Sequence, residues 1–176
     1  GVSSFGFGGS NAHVILEEAP EQQVVKDIKP FYLITLSAKT ANGLKRRQND
    51  LLKWLEESTA ISATAALSSI SFTLNLGRTH FSHRRAWIVK NREELKAELL
   101  LSLADKKSEH AFIGIAEDNQ RPDDEVIYEK VLEETYIELR STVPENGKKY
   151  QRNLHILANL YVKGYTINWS LLYSGT

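Results

Sequence analysis

Cysteine and methionine are both absent from the 176 residues. Without cysteine there is no thiol nucleophile, no disulfide framework and no cysteine-based metal site. An excess of charge of either sign is missing too. Lys+Arg and Asp+Glu stand at 22 each, so no net field draws the chain to nucleic acid or to an anionic membrane. Apolar runs fall far short of the roughly 20 residues a helical membrane span needs. No basic segment followed by an apolar one opens the chain, which removes the usual sign of export. The sequon Asn168-Trp169-Ser170 therefore carries no weight. What is present, 41% hydrophobic and 25% charged residues, is ordinary for a soluble globular chain. The expectation is a cytoplasmic protein of one or two small domains, opening without an initiator methionine as a piece of a longer polypeptide would.

Proline is scarce, and its four positions fall at breaks: Pro20, Pro30, Pro122 and Pro144. Ahead of the first, four glycines crowd into nine residues, and His13-Val14-Ile15-Leu16 reads as a short strand covered on both faces. Residues 21–30 read as an extended linker. From Phe31 the pattern becomes that of a packed domain. Tyr32 to Ser37 predicts a strand, and Thr40 caps a helix to about Ser58 carrying Leu44, Leu51, Leu52 and Leu55. A second helix spans about Ala66 to Asn75, stopped by Gly77. Arg84 to Val89 is a strand. Asn91 with Glu94 forms a capping box for a helix to Asp105, and His110 to Ile115 is a third strand. The order β-α-α-β-α-β predicts an α/β (α+β) fold with a small three-stranded sheet and helices packed on it.

After Pro122 the pattern is helical. Asp123 to Arg140 predicts a helix with acidic residues at its start and apolar residues on more than one face. A last helix, Lys148 to Lys163, carries Tyr150, Leu154, Leu157 and Tyr161 on one side and stops at Gly164. The tail Tyr165 to Tyr173 reads as a segment packed back on the body.

No self-contained active site emerges. His80 and His83 have the spacing of a metal pair, but a third ligand must come from elsewhere and no cysteine supplies it. No serine sits in a Gly-x-Ser-x-Gly elbow, and no phosphate-binding loop is present. Gly6-Phe7-Gly8-Gly9 lacks the helix and distal acid of a dinucleotide fingerprint. Glu56-Glu57, Glu93-Glu94 and Glu133-Glu134 lie in amphipathic helices and read as solvated faces. No catalytic residue, metal or cofactor is expected.

The opening Gly1-Val2-Ser3-Ser4-Phe5-Gly6-Phe7-Gly8-Gly9-Ser10-Asn11-Ala12-His13-Val14-Ile15-Leu16-Glu17-Glu18 resembles the C-terminal end of a polyketide synthase ketosynthase domain. In that family the position of Phe7 gates the acyl-binding cavity. The resemblance marks Phe5, Gly6, Phe7, Gly8, Gly9, Asn11 and His13 as a loop remnant, while the family's catalytic Cys and two His lie upstream. Leu36-Ser37-Ala38-Lys39-Thr40 and Leu74 to Arg84 resemble the ketosynthase-to-acyltransferase linker, a small domain with a three-stranded sheet. In synthases with a built-in acyltransferase, a catalytic domain with a Gly-His-Ser-x-Gly elbow follows. Here Tyr161 to Trp169 instead resembles the segment that normally comes after that domain, with Asn119 to Lys148 least covered.

This arrangement resembles trans-acyltransferase polyketide synthases, in which a free-standing acyltransferase loads the carrier proteins of a secondary-metabolite assembly line. The resemblance implies a non-catalytic docking domain divided as 1–20 ketosynthase end, 21–30 linker, 31–118 α/β domain, 119–147 helical insert and 148–176 C-terminal helix and tail. Implied partners are the free-standing acyltransferase, the parent ketosynthase and an acyl carrier protein. Homotypic association between assembly lines is the alternative, through Tyr128, Val131, Leu132, Tyr136 and Leu139. Tyr161, Tyr165, Trp169 and Leu172 are expected to pack the tail.

Overall fold

The computed structural model describes residues 1–18, 29–57, 66–116, 125–141 and 147–173. The expected end points Ser58, Asp123 and Asp124 lie outside these, as does most of the linker. The chain is built from β1 (Val2–Phe5), β2 (Asn11–Val14), β3 (Tyr32–Ala38), α1 (Ala41–Glu56), α2 (Leu67–Asn75), β4 (His83–Val89), α3 (Arg92–Leu103), β5 (Ala111–Ile115), α4 (Glu125–Ser141), α5 (Gly147–Val162) and α6 (Ser170–Tyr173).

Capping chemistry sets the helix boundaries. Thr40 Oγ1 accepts from the Gly43 amide at 3.1 Å to open α1. Asn91 Oδ1 accepts from the Glu94 amide at 2.8 Å, and the Glu94 carboxylate reaches back to the Lys90 amide. α3 stops short of the expected Asp105. The amides of Asp105 and Lys106 turn back to the carbonyls of Ser102 and Leu101, with Asp105 in the left-handed region at φ 54°. Gly164, at φ +104°, closes α5 in the same way.

β3, β4 and β5 form an antiparallel sheet in that order, with Ile34 opposite Trp87 and Arg85 opposite Ile113. Successive side chains leave opposite faces, and both faces are covered. Ile34, Leu36, Trp87 and Val89 pack under α1, α2 and α3 with Leu44, Leu52, Leu95 and Leu99. Leu33, Ala86 and Ile88 pack under α5, with α4 and the tail completing that layer through Tyr136, Leu154, Leu157 and Trp169. α2 lies along β3, where Ser71 Oγ and Asn75 Nδ2 both donate to the Leu33 carbonyl, at 2.8 and 2.9 Å. The helix thus supplies hydrogen bonds that a further strand would otherwise make.

The opening segment departs from its expected form. Its second strand is Asn11–Val14 rather than His13 to Leu16, it pairs with β1, and residues 1–18 are all exposed. A strand covered on both faces was expected; among the described residues no element covers this hairpin.

Candidate functional site

The glycine-rich loop is a hairpin turn. The Gly6 amide donates to the Ser10 carbonyl at 2.8 Å, and a side chain at Gly6 would meet that same oxygen. Gly8 and Gly9 face open space, Gly9 at φ +88°. Phe7 stands at the tip, 114% exposed, with Phe5 exposed beside it. Asn11 pairs with Phe5 across the hairpin and His13 with Ser3, whose Oγ lies 2.7 Å from His13 Nδ1. Among the described residues no carboxylate stands in line with this exposed Ser–His pair, so it lacks the third group that orients a base toward its nucleophile.

The histidines His80 and His83 do not converge. His80 Nε2 donates to the Asn75 carbonyl at 2.8 Å, while Nδ1 lies 2.8 Å from the Tyr161 hydroxyl. Its ring packs 5.5 Å from that of Trp169. Burial holds the His80 pKa below the ordinary value, against the raising effect of the Asn75 carbonyl, and the nearby Arg84 lowers it further. This imidazole is a fastener between α2, α5 and the tail. Among the described residues no group of three His, Cys, Asp or Glu side chains has the geometry to hold a metal.

The tail is held by contacts from several elements. Tyr161 and Trp169 are buried, and Tyr165 and Leu172 pack against the same cluster. Arg84 Nη1 donates to the Tyr161 carbonyl at 2.9 Å, its guanidinium 4.9 Å from the Tyr161 ring. Lys29 Nζ and Arg140 Nε donate to the carbonyls of Leu172 and Leu171. The Tyr173 hydroxyl reaches Ser71 and Asn75 at 2.8 and 2.7 Å, and burial pushes its pKa up to about 12.

On α4, Tyr136 and Leu139 are buried in this chain's own core, with Tyr128, Val131 and Leu132 packed against it. The outward side carries a different set: Ile127, Lys130, Glu134 and Ile137, all exposed. A second exposed apolar group lies on β5, where Ile113 and Ile115 face out beside Arg85 and His83. Sequence reasoning missed both pairs. The strand expected over Arg84 to Val89 begins one residue earlier, at His83, and the pattern of that strand does not show which neighbours Arg84 and Arg85 meet. Alternation alone places those two cations on opposite faces of the sheet.

These contacts fasten the tail to the sheet, and among the described residues no nucleophile, base and oxyanion donor are seen together. Among the described residues no helix is long and apolar enough to cross a membrane.

Comparison with known proteins agrees with this geometry. Residues 32–99 match the family described as CurL-like, PKS C-terminal. The chain is 34% identical to Polyketide synthase PksR of Bacillus subtilis, aligning 99% of its own length with 7% of that synthase. It is 33% identical to Polyketide synthase PksL of the same organism, over 98% of the chain and 4% of that protein. Among solved structures, the ketosynthase from module 1 of the bacillaene synthase of Bacillus amyloliquefaciens FZB42 is 27% identical. Its TM-score is 0.65, over 95% of this chain and 26% of that one. The ketosynthase from module 6 of the Bacillus subtilis 168 bacillaene synthase shares the fold at a TM-score of 0.66 and 24% identity, over 99% and 27% of the two chains. The chain thus spans a small part of each curated synthase and about a quarter of each solved ketosynthase chain. Over nearly its whole length the chain is similar to polyketide synthases, and its residues 32–99 match the CurL-like, PKS C-terminal family.

Proposed function

We propose that this chain is a non-catalytic docking and scaffold domain beside a ketosynthase, and that it recruits a free-standing acyltransferase to load extender units onto carrier proteins in the cytoplasm. The observation that carries this reading is the direct passage from the sheet to the tail. β5 ends at Ile115, α4 is under way by Glu125, and α5 with its tail then closes over the sheet. No stretch between them is long enough for an acyltransferase core, which supports a reading in which a separate acyltransferase supplies that activity. Support also comes from Tyr161, Trp169 and Tyr173, which tie the tail to the sheet domain. The division into ketosynthase end, linker, α/β domain, insert and tail remains part of the proposal. The test is gel filtration of the chain with the acyltransferase of its own synthase, alongside an acyl-transfer assay with malonyl thioester. Co-elution without turnover by the chain alone is the expected result. Turnover, or separate elution in the presence of the ketosynthase as well, overturns the reading.

A second reading, homotypic association through α4, is favoured by one feature. The exposed stripe Ile127, Lys130, Glu134, Ile137 reads apolar, positive, negative, apolar in both directions. Two copies of α4 packed antiparallel about a two-fold axis would set Ile127 on Ile137 and Lys130 on Glu134, each twice.

A further inference from the structure

The face of the sheet under α1, α2 and α3 is covered unevenly. α3 ends at Leu103, and beyond it Ile113 and Ile115 of the outer strand β5 are 64% and 58% exposed. In register they lie beside Arg85 and His83. Arg85 is held from one side only. Its Nη1 donates to Gln48 Oε1 at 2.9 Å and to the Ser102 carbonyl at 3.0 Å. Its Nε is buried without a partner, and its Nη2 makes no hydrogen bond among the described residues. Both acceptors are neutral. Asp105, in the turn that follows α3, acts on Arg85 through space without a hydrogen bond, its carboxylate being paired with Lys45 at 2.8 Å. Lys106 and Lys107 continue that turn, exposed and without an ion pair among the described residues. Two exposed isoleucines on an outer strand, a half-buried guanidinium whose hydrogen-bond acceptors are neutral, and the exposed Lys106 and Lys107 of the preceding turn make a surface complementary to acidic groups carried on an apolar stripe.

We infer that this strip is the surface on which the partner docks, and that the partner offers an acidic amphipathic element. One carboxylate meets Nη2 of Arg85, aliphatic side chains cover Ile113 and Ile115, and further carboxylates lie along Lys106 and Lys107. The inference rests on the reading of the chain as an acyltransferase-docking domain and names the surface that does it. Charge complementarity makes the contact sensitive to ionic strength, since exposed cations such as Lys106 and Lys107 are screened by salt.

The test is calorimetric titration of the acyltransferase into the whole chain and its variants. Ile113→Ser with Ile115→Ser, and Lys106→Glu with Lys107→Glu, alter exposed side chains and leave the core intact. Arg85→Gln completes the set, with thermal melting to check that it folds. Each double variant is expected to weaken binding by about tenfold or more. The lysine reversal is also expected to flatten the salt dependence, while Ile127→Ser and Ile137→Ser leave the affinity unchanged. Wild-type binding that both double variants retain overturns the surface assignment and leaves docking standing. No binding by the wild type overturns docking and the surface together. If the double variants instead change the chain's own sedimentation, or its contact with the ketosynthase, the strip has a different occupant and the inference falls.

Discussion

His80 shows how one side chain acts at a distance from any chemistry. Its ring is bonded on both nitrogens, to the Asn75 carbonyl and the Tyr161 hydroxyl, and stacks near Trp169. Burial depresses its pKa in the folded chain, and burial with the neighbouring His110 does the same at His155. The unfolded chain therefore takes up protons near pH 6.5 that the folded chain refuses, so stability falls as pH drops below about 6.5. Denaturation midpoints measured from about pH 7.5 to about pH 5 should decline, and His80→Asn should shallow that decline. A flat profile in the unaltered chain would contradict this placement of the imidazoles. Gly114 gives a second residue-scale prediction. A Cβ there would collide with the Val162 carbonyl, backbone that cannot step aside. Gly114→Ala should therefore destabilise by about 1–3 kcal/mol in chemical denaturation.

At the scale of elements, caps and stops were the most legible part of the sequence. Thr40, Asn91 with Glu94, and Gly164 each act at the terminus assigned to them, because capping depends on residues within one turn of the chain. Strands β3 to β5 were legible because β-branched and aromatic runs stood between clear breaks. The hairpin was not. Its turn glycines were visible, but Val2 to Phe5 has too few apolar residues to announce a strand, and only pairing with Asn11–Val14 makes it one. The direction α4 faces was illegible for a different reason. A helix apolar on two sides does not declare which side its own chain will take. Here α5 and the tail take Tyr136 and Leu139, leaving Ile127 and Ile137 outside. Under the homotypic reading, Ile137→Asp should abolish self-association in sedimentation experiments without changing the melting temperature. Leu139→Ala, by contrast, should cost about 2–5 kcal/mol of stability as a buried truncation. Self-association untouched by Ile137→Asp would leave the two-fold α4 contact without support.

At the scale of the whole molecule a sheet is packed on both faces, and the exposed apolar features among the described residues include the hairpin tip at Phe7, the outer side of α4 and the end of β5. Net charge gave no hint of the third, since equal totals say nothing of which residues the sheet register sets side by side, such as Arg85 opposite Ile113. The proposed docking role was legible only through the resemblance to a ketosynthase end and its linker, because a docking surface has no motif comparable to a catalytic elbow. Calorimetric titration of the free-standing acyltransferase into this chain, at low and at high salt, tests the central claim most directly. The account predicts saturable binding at micromolar concentrations that weakens as salt rises. No heat of binding at micromolar concentrations, with the ketosynthase also present, would contradict it.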